Sequence, residues 1–234
     1  MLVAGTRDIG FAGADWVQEL NIDETRIVQV LDTELDPVRI VAASPDINIL
    51  KKGGLNGRKL IVASEYEQLT RNWLKKIKID EEAVFLRAYG ATESLPPEDA
   101  DIIVDNAATG STLKANALEI IDSLMNSTTR LYASKSAWDD PAKRERIQQL
   151  VLILQSVLNA RKRLMLTCNC TKEKLESILK ILPAMKAPTV SALYGEEGFA
   201  IQIAAAASSI PTLIPKVIEA GGTDIVVSTI RMLV

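Results

Sequence analysis

The apolar pattern in the middle of the chain changes from that of a strand to that of a helix. Ile102, Ile103 and Val104 form a β-branched run, typical of a buried strand, which ends at Asp105. After a small polar loop, apolar residues recur at positions 113, 117, 120, 121 and 124, a spacing that predicts a helix. The pattern therefore predicts strand, loop and helix, with an acid at the carboxyl end of the strand.

The polar loop has the composition of an anion-binding site. Thr109, Ser111 and Thr112 carry hydroxyl groups, and Gly110 lets the backbone approach a ligand closely. Backbone N–H groups at a helix start, together with the helix dipole, attract anions. A sugar phosphate would fit, with Asp105 accepting hydrogen bonds from the sugar hydroxyls. The same residues are equally consistent with an ordinary helix N-cap formed by Thr109 or Ser111.

The first 162 residues alternate strand and helix patterns, which predicts an α/β fold. Helix starts are indicated by Asp15 with Gln18, by Ser64 with Glu67 as a capping box, and by the Asp-Asp-Pro at 139–141. Strands are expected at 8–13, 27–31, 38–43, 59–63, 84–88 and 129–134, with a turn-rich connection at 51–57.

The pattern of residues 163–234 predicts a separate domain. Strand and helix signals follow one another in the order β-α-β-β-α-β, which is that of a ferredoxin-like fold. Both helices are expected on one face of its sheet, and a turn is expected at 195–198.

Composition narrows the possible functions. The 234 residues are 47% hydrophobic and 24% charged with a net charge of −3, typical of a globular protein without a nucleic-acid partner. No apolar run resembles a signal peptide or a membrane span, so we expect a cytoplasmic protein. The chain has no histidine, which excludes histidine-based catalysis and histidine-ligated metals. Cys168 and Cys170 match no redox or zinc spacing and are expected to be buried free thiols.

Residues 103–118, IVDNAATGSTLKANAL, resemble the phosphoribosyl-pyrophosphate loop of ATP phosphoribosyltransferase, the enzyme that opens histidine biosynthesis. The match includes Asp105, the Thr-Gly-x-Thr-Leu that begins at Thr109, and the Ala-Asn that follows. The family usually has an apolar residue at the position of Asn106 and a glycine at that of Glu98. The resemblance covers essentially the whole chain and includes GFAGADWVQEL at 10–20.

The resemblance implies a particular architecture. Residues 1–162 would form a catalytic region of two lobes similar to type II periplasmic binding proteins, lobe one being 1–41 with 135–162 and lobe two 42–134. In the family several elements precede the segment that resembles 10–20, including a first strand and a Lys-Gly-Arg loop. We therefore expect an N-terminally incomplete region with an uncovered sheet edge. Residues 163–234 would be the regulatory domain that binds histidine as feedback inhibitor, with Thr189 among its contacts, in a homo-oligomer (dimer or hexamer).

The resemblance also implies a reaction, in which an adenine ring nitrogen of ATP attacks the anomeric carbon of phosphoribosyl pyrophosphate and pyrophosphate leaves. Asp105 would hold the ribose hydroxyls as the catalytic residue, and residues 109–112 would hold the 5′-phosphate. Glu93 lies in a Gly-x-x-Glu turn and would meet a Mg²⁺ carried by pyrophosphate; it is alternatively an exposed acid.

Other assignments stay open at this point. Asp15, Ser64 and Tyr66 could line the nucleotide pocket, or Ser64 could be an ordinary cap and Tyr66 an edge aromatic residue. A chain without the basic loop is expected to be a poor catalyst, and it could instead be a non-catalytic module that binds a sugar phosphate or histidine. A solute-binding protein of the periplasmic type is a third reading.

Overall fold

The computed structural model describes residues 1–51, 58–183, 187–195 and 197–234. The chain divides into two compact units, Met1–Ile147 and Gln148–Val234. The predicted connection at 51–57 falls outside the described residues except for Lys51, and so does Glu196 of the predicted turn at 195–198. No helix within the described ranges is long and apolar enough to cross a membrane.

The first unit is built on a six-stranded mixed sheet with the order β1-β6-β2-β5-β3-β4. Its elements follow one another along the chain as β1 (Ile9–Gly13), α1 (Ala14–Glu19), β2 (Ile27–Ser44), β3 (Leu60–Ser64), α2 (Glu67–Lys76), β4 (Ala83–Arg87), β5 (Ile102–Ala107), α3 (Ser111–Ala115), β6 (Glu119–Ser134) and α4 (Lys135–Asp139), and α5 (Pro141–Arg161) follows.

Strand β5 lies inside this sheet because its central residues are apolar on both faces. Ile102 and Val104 belong to one hydrophobic cluster, with β3 and α2, and Ile103 belongs to a second cluster, with Leu113 and Leu118. All three strand residues are fully buried. Strands β4, β3 and β5 run parallel, so their carboxyl ends meet at one edge of the sheet.

The prediction of a helix from residue 113 onward is wrong for the residues after α3. The chain leaves the helix with Ala117 at φ 55°, and Glu119–Ser134 is a strand that pairs with β2 along its length. Ile121 and Leu124 are extra residues at two irregularities in that pairing. These bulges turn a strand's two-residue period into spacings of three and four, which imitate a helix.

The two short strands expected at 27–31 and 38–43 are one strand, β2. The polar residues between them are accommodated by register shifts, with Glu34 and Asp36 at positive φ. Such bulges insert residues without ending the ladder.

Two of the three predicted helix caps are wrong. Gly13 is the N-cap of α1, and Asp15 lies buried in its first turn. Tyr66 is the N-cap of α2, while the hydroxyl of Ser64 accepts from the N–H of Tyr66 and donates to the carbonyl of Val104. The third is confirmed, since the carboxylate of the aspartate before Pro141 accepts from the N–H groups of residues 142 and 143.

Strand β1 lies at the sheet edge and pairs with β6 only, as far as the described residues extend. Phe11 and Leu20 are 59% and 64% exposed beside an apolar hollow of about 250 Å³. The expected uncovered edge is therefore present within this part of the chain.

The second unit has the predicted order β-α-β-β-α-β, which confirms the ferredoxin-like fold. Its antiparallel sheet has the order β10-β7-β9-β8. Both helices share one hydrophobic cluster with the inward residues of β7 and β9, and the free thiols of Cys168 and Cys170 are buried there, as expected. The elements are β7 (Arg163–Thr171), α6 (Leu175–Ile181), β8 (Thr189–Ala192), β9 (Gly198–Ala206), α7 (Ile210–Glu219) and β10 (Thr223–Thr229).

Candidate functional site

An open cavity of about 450 Å³ lies at the carboxyl ends of the parallel strands β3, β4 and β5. This edge is where α/β sheets commonly bind ligands, because the loops that follow each strand converge there. The lining residues are Glu65 after β3, Gly90, Thr92 and Glu93 after β4, and residues 105–113, which run from the end of β5 into α3.

Asp105 is half-buried at the end of β5 and lines the cavity. Its carboxylate Oδ1 accepts a hydrogen bond of 2.7 Å from the backbone N–H of Asn106. Burial raises the pKa of the Asp105 carboxyl above its ordinary value, the Asn106 N–H opposes this effect, and the charges of Glu93 and Glu65 add to it. The cavity therefore contains an acceptor whose ionisation is sensitive to its acidic neighbours.

The loop at 109–112 is exposed to solvent and presents donors. The hydroxyls of Thr109 and Ser111 are 3.0 Å apart, and the Ser111 N–H reaches the Thr109 hydroxyl at 3.4 Å. The N–H groups of Gly110 and Thr112 donate to no acceptor within the described part of the chain. Gly110 has φ 74°, and no atom lies within 4 Å of the position where a Cβ would be.

The helix dipole, which we expected to attract a phosphate to this loop, contributes little. Helix α3 has five residues, too short for its dipole to contribute much. The donors of the loop itself remain, namely backbone N–H groups and three hydroxyls.

The turn after β4 is attached to the end of β3. The N–H of Gly90 donates to Oε1 of Glu65 at 2.6 Å, and Ala91 follows at φ 50°. Glu93 lies half-buried on the cavity wall. Among the described residues no three acidic or thiol groups are close enough together to hold a metal by themselves.

The structure places Asp15, Ser64 and Tyr66 behind the cavity and not on its wall, because each is at least 95% buried. The Tyr66 hydroxyl donates to Oδ2 of Asp15 at 2.9 Å. Burial raises the pKa of Tyr66, and Asp15 adds to the effect. Thr189 lies exposed on β8 in the second unit.

Glu65, Thr92 and Asn106 also line the cavity, and the sequence did not single them out as site residues. A signal was available for two of them. Glu65 directly follows β3, and Asn106 lies at the end of β5, the positions from which parallel strands supply ligands.

Comparison with known proteins shows the family. A family model described as ATP phosphoribosyltransferase matches residues 1–156, and one described as the C-terminal domain of HisG matches residues 160–232. The chain belongs to the ATP phosphoribosyltransferase family. The resemblance to this family is thereby confirmed, and so is the transferase function in the first step of histidine biosynthesis.

Individual relatives are similar over almost the whole chain. The ATP phosphoribosyltransferase of Pelotomaculum thermopropionicum is 38% identical over 228 residues, 95% of this chain and 76% of the relative. That of Pelodictyon phaeoclathratiforme is 34% identical over 233 residues, 98% of this chain and 78% of the relative. A solved ATP phosphoribosyl transferase (HisG:HisZ) complex from Thermotoga maritima contains a chain 27% identical, with a TM-score of 0.57, and the match covers 68% of this chain and 73% of that one.

Proposed function

We propose that the cavity at the ends of β3, β4 and β5 binds phosphoribosyl pyrophosphate, and that the chain transfers its phosphoribosyl group to an adenine ring nitrogen of ATP. The observation that carries this proposal is the arrangement of the half-buried carboxylate of Asp105 beside a loop of N–H and hydroxyl donors on one open cavity. A carboxylate acceptor suits sugar hydroxyls, and a cluster of donors suits a phosphate.

Each part of the cavity has a proposed role. Asp105 accepts hydrogen bonds from the ribose hydroxyls and fixes the anomeric carbon in place. The hydroxyls of Thr109, Ser111 and Thr112, with the N–H groups of the loop, bind the 5′-phosphate through charge-assisted hydrogen bonds.

The chemistry needs positioning and charge stabilisation more than a base. The bond between the anomeric carbon and the pyrophosphate oxygen breaks, the adenine nitrogen donates the electron pair of the new bond, and positive charge develops on the ribose. Asp105, Glu65 and Glu93 line the same cavity, so their carboxylates stabilise that charge. This scheme suits a chain that contains no histidine.

Glu93 is the proposed contact for Mg²⁺. The oxygen donors of the cavity fit this ion, which commonly takes one or two carboxylates together with substrate phosphates and water. The lack of a three-residue metal cluster in the described ranges is compatible with a site completed by pyrophosphate. Bound there, the ion would neutralise charge on the leaving group.

The remaining parts of the proposal follow from the family. We assign residues 1–162 to the catalytic region and 163–234 to a regulatory domain that binds histidine as feedback inhibitor, with Thr189 as a candidate contact. The two-lobed division at 1–41, 42–134 and 135–162 belongs to the same proposal, as do ATP binding, a homo-oligomeric state and a cytoplasmic location, since the family's role is biosynthetic.

A pyrophosphate-release assay with ATP and phosphoribosyl pyrophosphate tests the activity. We expect release that requires both substrates and falls at least a hundredfold in Asp105→Asn, which keeps the shape of the side chain but not its charge. Binding of phosphoribosyl pyrophosphate without release at any ATP concentration would instead identify a non-catalytic sugar-phosphate module.

A further inference from the structure

A buried polar network lies directly behind the cavity. Asp15 is its centre: Oδ2 accepts from the hydroxyl of Tyr66 at 2.9 Å, and Oδ1 accepts from the hydroxyl of Ser127 at 2.6 Å. The Ser127 hydroxyl in turn accepts from the N–H of Asp15 at 3.1 Å. The three residues are 2–5% exposed, so these bonds are shielded from water and strongly orient their partners.

Helix α1 holds this network against the start of α2. Both carboxylate oxygens of Glu19 accept from N–H groups in the first turn of α2, those of Gln68 and Leu69, at 3.0 Å each. The ring of Trp16 lies 5.1 Å from that of Tyr66, centre to centre. Glu19 thus supplies the cap that Ser64 does not, and the position of Tyr66 at the N-cap of α2 is fixed.

Asn106 connects the network to the cavity. Its side-chain Nδ2 reaches the Tyr66 hydroxyl oxygen at 3.4 Å, while Asn106 itself is exposed and lines the cavity. Its backbone N–H binds Asp105 Oδ1. The same residue therefore touches both the buried tyrosine and the carboxylate that we assign to the ribose.

The donor and acceptor inventory fixes the orientation of the Asn106 amide. A phenol has one proton, and the Tyr66 hydroxyl donates it to Oδ2 of Asp15. The Tyr66 oxygen can then only accept from Asn106, which requires the NH₂ group on that side. The carboxamide oxygen is left without a hydrogen bond within the described residues, on a side chain that borders the cavity.

We propose that the carboxamide oxygen of Asn106 is a second acceptor for the ribose hydroxyls beside Asp105, and that Tyr66, held by Asp15, orients it. This inference rests on the proposed binding of a ribose phosphate in the cavity. Tyr66 and Asp15 are positioning residues, since neither lines the cavity.

Calorimetric titration of the full chain with ribose 5-phosphate tests the proposal, with inorganic phosphate as the second probe. Asn106→Leu changes an exposed side chain and should weaken ribose 5-phosphate binding about 3- to 10-fold, the range of one lost hydrogen bond. Binding of inorganic phosphate should stay unchanged, because the 109–112 loop is untouched. Equal weakening of both probes would indicate a distorted loop and would overturn the proposal.

The positioning role of Tyr66 has its own test. Tyr66→Phe should weaken ribose 5-phosphate binding by a similar factor alone and add nothing in an Asn106→Leu background. Tyr132→Phe is the matched control, because Tyr132 is also buried but lies on β6 away from the cavity lining. Additive losses in the double variant would overturn the positioning role.

Failure of the proposed site and failure of the role of Asn106 give different binding results. If the unaltered protein binds neither ribose 5-phosphate nor phosphoribosyl pyrophosphate, the proposed site is wrong and this inference fails with it. If the protein binds them and Asn106→Leu binds as tightly, only the role of Asn106 is refuted.

Discussion

The backbone N–H of Gly90 donates a 2.6 Å hydrogen bond to the carboxylate of Glu65. This contact joins the loop after β4 to the end of β3, and both residues line the cavity. Gly90 and Ala91 have φ of 77° and 50°, a left-handed turn that a charged acceptor helps to stabilise.

Glu65→Leu should therefore disturb the cavity more than Glu65→Gln. Leucine removes the acceptor, whereas the glutamine carbonyl can still receive the Gly90 N–H. A hydrogen bond to a charged group contributes roughly 1.5–3 kcal/mol, so we expect KM for phosphoribosyl pyrophosphate to rise roughly tenfold or more in Glu65→Leu. Steady-state kinetics measures both variants, and equal KM values would show that the Gly90 contact does not shape the site.

Binding of ribose 5-phosphate should be lost on acidification at a higher pH than an ordinary aspartate would cause. Burial raises the pKa of Asp105 above 3.8, the Asn106 N–H opposes the shift, and Glu93 and Glu65 add to it. The ionised carboxylate is the stronger acceptor for the sugar hydroxyls, so affinity falls as the pH drops through the raised pKa.

Glu93→Gln removes one of the charges beside Asp105. It should therefore move the acid limb of the curve of affinity against pH, where binding is lost on acidification, to lower pH. Calorimetry without Mg²⁺ separates the effect from any metal contact. Glu219→Gln, an exposed acid of α7, is the control and should leave the limb in place. An unchanged limb in Glu93→Gln would mean that another group controls the pH dependence.

Thr112→Val removes one donor of the proposed phosphate loop without changing side-chain shape. The loss of a hydrogen bond to a charged phosphate should weaken binding of phosphoribosyl pyrophosphate by roughly 1–3 kcal/mol. Thr212→Val removes an exposed hydroxyl in α7 and should leave affinity unchanged. Isothermal titration of both variants measures the difference, and an unaffected Thr112→Val would place the phosphate elsewhere.

Asp101→Asn should lower the stability of the first unit at neutral pH. Arg58 binds both carboxylate oxygens of Asp101, at 2.7 and 2.6 Å, and the Ile61 N–H adds a third bond. Burial opposes ionisation of Asp101, but these contacts outweigh it and hold the carboxyl pKa below 3.8. Losing the charged partner of Arg58 should lower the free energy of unfolding, by an amount that solvent screening of the exposed guanidinium reduces.

The direction of the Asp101 pKa shift determines the pH range in which the ion pair stabilises the protein. Because the folded pKa is depressed, the stabilisation is present above 3.8 and is lost as the pH falls through the lower folded value. Urea unfolding of both proteins should therefore give curves that differ at neutral pH and converge in strong acid. A constant difference at every pH would mean that packing, not charge, is responsible.

Histidine should bind to the full chain and lower its rate of pyrophosphate release. The reason is the ferredoxin-like unit, which a model of the family's C-terminal domain matches and which we propose to be regulatory. Calorimetry with histidine, and with the same concentration of lysine as control, measures binding. The absence of heat and of inhibition at millimolar histidine would contradict a regulatory role.

Much of the architecture could be predicted from the sequence because it depends on local chemistry. The β-branched run at 102–104 predicts a buried strand, and the residue types from Asp105 to Thr112 supply a carboxylate and hydroxyl donors in any fold. The β-α-β-β-α-β order of the second unit could likewise be predicted. Each strand or helix has its own spacing of apolar residues and its own start and stop signals.

Residues that work through distant partners could not be assigned in this way. The spacing at 113–124 imitates a helix because bulges opposite β2 alter the strand period, and β2 lies about eighty residues earlier in the chain. Asp15 looks like a helix cap until Tyr66 and Ser127 surround it, at sequence separations of 51 and 112.

The sequence by itself determined the chemistry available to the chain: a carboxylate, a donor loop, no histidine and an α/β pattern. The tertiary structure alone decided which groups share a cavity, because parallel pairing of β3, β4 and β5 brings Glu65, Glu93 and Asp105 to one sheet edge. The tertiary structure also decided which polar groups are buried behind that cavity and do not line it. Because Asp15 and Tyr66 are buried, their polar side-chain atoms need hydrogen-bond partners, and they bond to each other. The bond between them orients the side chain of Asn106 at the surface.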